Sequence, residues 1–94
     1  MSDPGLFQKI TVTSTTFASK ANPDVYVPFL STGISLLNED SASVVEVSFD
    51  GTTLHDELNP NLPSKGTVYD NRFVSAVWFR LKSGTSAVVS IRVW

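Results

Sequence analysis

The sequence predicts an all-β domain, an antiparallel β-sandwich of seven to eight short strands, jelly-roll or immunoglobulin-like in outline. Two observations carry this. β-Branched and aromatic residues arrive in short bursts separated by Gly, Pro, Asn and Asp, and Ser and Thr supply 22 of the 94 residues. A third excludes the alternatives: no heptad, internal repeat or sustained helical period runs anywhere along the chain. Residues 1–94 fit a single domain, because a chain of this length hides only roughly two-thirds of the surface that its unfolded form exposes. The polar portion 1–30 reads as an arm or loop attached to it.

The first burst covers residues 7–13. Ile10 and Val12 alternate there with Lys9, Thr11 and Thr13, the pattern of a half-buried strand with a hydroxyl-rich outer side. Residues 14–24 are polar. The run 25–30 is apolar but contains Pro28, which has no N–H to give a ladder, and this places the segment at a sheet edge or bulge. Residues 33–37 make another short strand, followed by a turn at Asn38-Glu39-Asp40-Ser41. The run 44–49 leads into Asp50-Gly51 and then 52–55, which reads as a hairpin because Asp-Gly adopts the positive φ of a two-residue turn cheaply. Residues 59–66 are almost all breakers, 67–69 a short strand, and Asp70-Asn71 a turn.

The two closing segments, 73–82 and 86–94, are joined by Ser83-Gly84-Thr85 and are expected to pair antiparallel. Setting odd residues opposite odd merges Val77, Phe79 and Leu81 with Val89, Ile91 and Val93 into one apolar face. A slip of one residue would put Phe79 beside Ser90 and Arg92. Each large apolar side chain buried contributes roughly 1.5–3 kcal/mol, which selects the odd-to-odd register. The opposite face would then carry Trp78, Arg80, Arg92 and Trp94 together, with Trp78 and Arg92 as diagonal neighbours. Trp and Arg dominate interface hot spots, so these four residues are the candidate interface. Cover by the domain's own second sheet or by residues 14–24 is the competing reading of the same face.

Composition limits what such a domain can do. Seven basic and nine acidic residues give a net charge of −2 with no basic run, so the electrostatic footprint of nucleic acid binding is missing. There is no cysteine, hence no disulfide, thiol nucleophile or thiolate metal site. The start of the chain shows no secretory pattern and no apolar run is long enough for a membrane helix, so synthesis in the cytoplasm of whatever cell makes it is expected. No catalytic constellation is found. His55 stands beside Asp56 and Glu57 and near Ser48 and Thr53, but no strained nucleophile turn accompanies it. The carboxylates at 39–40 and at Asp50, Asp56 and Glu57 match no calcium loop, and no glycine lies in a phosphate-binding fingerprint. A non-enzymatic protein without metal or cofactor is expected.

The run Gly33-Ile34-Ser35-Leu36-Leu37-Asn38, the words Ser48-Phe49-Asp50-Gly51, Asp70-Asn71-Arg72 and Trp78-Phe79-Arg80, and the closing Val89-Ser90-Ile91-Arg92-Val93-Trp94 follow one another in an order that resembles small virion structural proteins of tailed bacteriophages. The resemblance covers residues 33–94. It implies a non-enzymatic part of the particle, with capsid decoration favoured over a head-tail connector or tail component. It also implies a homo-oligomer whose partners are the major capsid, connector or tail subunits. The competing class is a glycan- or host-surface-binding module, in which Tyr26, Trp78 or Trp94 would stack on sugar rings.

Overall fold

The computed structural model describes residues 5–40, 42–59, 67–70 and 73–94. They form eight strands: β1 (Leu6–Val12), β2 (Val25–Tyr26), β3 (Gly33–Asn38), β4 (Val44–Ser48), β5 (Asp56–Leu58), β6 (Thr67–Asp70), β7 (Ala76–Ser83) and β8 (Ala87–Val93). Two antiparallel sheets of four face each other, one ordered β1-β8-β3-β6 and the other β2-β7-β4-β5. The partners are nested: β1 pairs with β8, β2 with β7, β3 with β6 and β4 with β5. This is a long hairpin rolled up on itself, the jelly-roll arrangement of an eight-stranded sandwich.

That topology overturns the expected hairpin of the last two strands. β7 lies between β2 and β4, whereas β8 lies between β1 and β3 in the opposite sheet. The parity of both strands is nevertheless as expected: Val77, Phe79 and Leu81 point inward from one sheet, and Val89, Ile91 and Val93 from the other, all buried. Side by side in one sheet, these two apolar rows would still need a cover. Placed in opposite sheets they cover each other, and the core closes between them with Ile34, Leu36, Val45 and Val47. The connection passes through Gly84 at φ +90°, so close to Ser43 that an added Cβ would lie 2.1 Å from the Ser43 hydroxyl. The glycine is required there twice over, by conformation and by space.

The β4–β5 hairpin exists, but with a longer loop than a two-residue turn. Val47 pairs with Asp56, and residues 49–55 make the connection. Gly51 has φ +87°, while the Asp50 carboxylate accepts the amides of Thr52 (2.8 Å) and Thr53 (2.7 Å) and the Ser48 hydroxyl (2.9 Å). β2 is an edge strand, as Pro28 requires. Its shortness leaves a gap in the ladder that a side chain fills: Asp24 Oδ2 accepts the N–H of Phe79 at 2.8 Å. Asn38, on β3, joins the two sheets. It is buried, and its amide donates to the carbonyls of Ser43 (2.8 Å) and of Leu58 on β5 (3.1 Å). The expected loop at 59–66 beyond residue 59, the turn after Asp70, Ser41 and residues 1–4 lie outside the described residues.

Residues 5–30 are not a free arm. β1 forms an edge of one sheet, residues 13–24 cross to the other sheet, and β2 joins it.

Candidate functional site

The crossing segment covers Trp78 and part of Arg80 on the outer face of the β2-β7-β4-β5 sheet. It is fastened by the Ser14 carbonyl, which accepts the Leu81 N–H at 2.8 Å, and by Asp24 at its far end. Between these ties Trp78 donates its Nε1–H to the Ser19 carbonyl at 3.0 Å and is only 5% exposed. Arg80 is held from both sides, its guanidinium 4.2 Å from the centre of the Phe17 ring and its Nε 2.7 Å from Glu46. The candidate interface of Trp78, Arg80, Arg92 and Trp94 is therefore corrected. The two pairs lie on different sheets, and Trp78 is sealed by its own chain. Trp78 does point out of its sheet, and the competing reading, cover by residues 14–24, is the one that the structure shows there.

Arg92 and Trp94 belong to the outer face of the β1-β8-β3-β6 sheet. The register sets Phe7, Arg92, Ser35 and Val68 in one row across all four strands, with Lys9, Ser90 and Leu37 in the next but one. Arg92 is exposed, with its guanidinium 5.1 Å from the centre of the Phe7 ring. Phe7, Ser35, Leu37, Ser90 and Arg92 line a notch of about 180 Å³. At its polar rim, Glu39 accepts from the Ser90 hydroxyl and from Lys9 Nζ at 3.4 Å; the Ser90 bond first, then Lys9, hold the Glu39 carboxyl below its ordinary pKa. Trp94 lies across Gly33, where an added Cβ would meet the indole at 2.5 Å, and the ring keeps 38% of its surface exposed.

The exposed apolar side chains are unevenly placed. The start of β1, the end of β8, the 27–32 and 49–55 connections and the 73–75 segment all lie at one end of the sandwich, by the direction in which the paired strands run. Phe7, Tyr26, Leu30, Leu54, Val68, Phe73 and Trp94 all belong to that half, and among the described residues only Val88 of the exposed large apolar side chains belongs to the other. Leu30 is 80% exposed and Phe73 61%. The sequence reading passed over Phe7, although its parity was a signal: it shares a strand side with Lys9 and Thr11, which places its ring on the outer sheet face.

The remaining polar candidates have structural partners. His55 Nδ1 accepts the Phe49 N–H at 3.0 Å, and its ring lies 5.4 Å from that of Phe49, so it locks the 49–55 connection. The Ser48 hydroxyl is tied to Asp50 and to the Gly51 amide, while Asp56 accepts from the Tyr69 hydroxyl. Among the described residues no group of three or more His, Asp or Glu side chains is placed to hold a metal ion. No protein-family model matches the chain, and no curated protein matches it.

Proposed function

We propose that the chain is a non-enzymatic structural subunit of a tailed-phage virion, of the capsid-decoration kind, that docks through the apolar end of its sandwich. The observation that carries this is the collection of exposed large apolar side chains in one half of the molecule, while Trp78 is covered by the chain's own crossing segment. The four exposed aromatic side chains of this half, Phe7, Tyr26, Phe73 and Trp94, are residue types suited to a contact surface. A small domain without disulfides also gains stability from neighbours that bind only its folded form. The resemblance of residues 33–94 to small virion proteins points the same way, and jelly rolls recur among capsid proteins, though also among lectins and cupins; that is analogy at the level of fold.

The test is sedimentation of the purified protein with and without phage capsids, run beside a glycan array. Capsid-dependent, saturable pelleting without glycan signal supports the proposal. Saturable sugar binding by the isolated domain, with no pelleting, overturns it in favour of a glycan-binding module.

A further inference from the structure

The notch beside Arg92 has a chemistry that narrows the partner. Arg92 has no carboxylate partner among the described residues, and its guanidinium carbon lies 5.1 Å from the centre of the Phe7 ring. A guanidinium without an ion partner matches a carboxylate, which it grips through two parallel hydrogen bonds. Beside Arg92 the notch is lined by the apolar Phe7 and Leu37 and by the polar Ser35 and Ser90. At about 180 Å³ it is smaller than the roughly 300–1,000 Å³ of small-molecule pockets, and it suits one or two side chains of a protein.

The described acidic side chains of a second copy of this chain are poor sources of the carboxylate. Glu39, Glu46 and Glu57 are engaged by Lys9, Arg80 and Lys82. Asp24, Asp40 and Asp50 accept backbone amides, and Asp56 accepts from Tyr69. Every acidic side chain described is thus already engaged within its own protomer, and a homotypic contact to Arg92 through any of them would have to share the carboxylate with its present partner.

We infer that the notch seats an acidic side chain flanked by an apolar one, presented by a different protein. This rests on the proposed function only in taking that protein to be a neighbour in the particle.

The probe is a pair of capped peptides, Gly-Leu-Asp-Leu-Gly and its Asn counterpart, titrated to millimolar concentration while the Arg92 Nε–H and the Ser35 and Ser90 amides are followed by NMR. The expected result is a saturable shift of these signals with the Asp peptide, weakened at least tenfold with the Asn peptide, reduced in R92K and abolished in R92Q. Because Arg92 is exposed, R92Q should melt with the wild type. Equal binding of both peptides, no shift from either, a shift caused only by raising the protein's own concentration, or a shift with a uronic acid but neither peptide would overturn the inference. Capsid pelleting separates the two proposals: R92Q pelleting as well as wild type removes the notch and leaves the virion reading. Peptide binding by a protein that no capsid pellets does the reverse.

Discussion

Replacing Trp78 by Ala should unfold the isolated domain more readily, and the size of the loss follows from where the ring lies. A tryptophan buries about 150–250 Å² and here is only 5% exposed, which at ~25 cal/mol per Å² sets a ceiling of about 4–6 kcal/mol. A denatured chain that already hides ~10–40% of that surface lowers the figure to about 2.5–5.5 kcal/mol. The indole hydrogen bond to Ser19 adds little, since that carbonyl is at the surface and returns to water. A domain of this length holds roughly 5–14 kcal/mol in total, so the midpoint of thermal unfolding should fall by about 12–28 °C. Urea and thermal melts followed by circular dichroism measure this, and limited proteolysis should show faster cleavage within residues 15–22 as the crossing segment loosens. A loss below about 1 kcal/mol, accompanied by loss of capsid pelleting, would refute the reasoning: Trp78 would then be a contact residue and not part of the fold.

Other expectations follow from single contacts. Asp24→Ala leaves the buried Phe79 N–H without its acceptor and should cost about 1–3 kcal/mol in urea melts, whereas Asp24→Asn keeps a side-chain oxygen and should cost less. Gly84→Ala meets both a positive φ and the Ser43 side chain, and a destabilisation of about 1–3 kcal/mol in the same assay is expected, only partly relieved by adding Ser43→Gly. The amides of Thr53 and Thr52 hold the Asp50 carboxyl below its ordinary pKa, those of Ser43 and Ala42 do so for Asp40, and the Ser90 hydroxyl and Lys9 for Glu39. Folded values below unfolded ones mean stability that is complete above the unfolded carboxyl range of about 4 and declines as pH falls through the folded values; melts from pH 7 to 2 should show this, less steeply in Asp50→Asn. Lys82 has the opposite sign, raised by its bond to Glu57, so its contribution is present below about pH 10.4 and is lost as pH rises beyond its folded value.

The faces of the strands were legible in the sequence, and their partners were not. Alternation fixes which side of β7 and β8 is apolar, because side chains point to opposite faces with period two whatever lies next to the strand. It carries no information on whether two apolar faces meet side by side or front to front. A short linker with a left-handed glycine such as Gly84 serves a hairpin and a crossing between sheets equally well. Asp50-Gly51 misled for a related reason: Gly51 does take a positive φ, but the Asp50 side chain is spent on capping a longer loop. The polar composition of residues 14–24 says that they are connecting chain, but their role as a cover depends on Phe17 meeting Arg80 and on a carbonyl reaching Trp78, both contacts across about sixty positions of sequence. The notch is of the same kind, since Phe7 and Arg92 come from the two ends of the chain and meet only when β1 pairs with β8.

Hydroxyl-radical footprinting, with the protein alone and then seated on capsids, tests the division into a sealed face and a docking end in one experiment. Alone, Trp94, Phe7, Tyr26 and Phe73 should oxidise while Trp78 stays protected; on the capsid, several of that exposed group should become protected as well. Oxidation of Trp78 at the rate of Trp94 in the free protein, or an apolar end that stays as reactive on the particle as off it, would contradict the account.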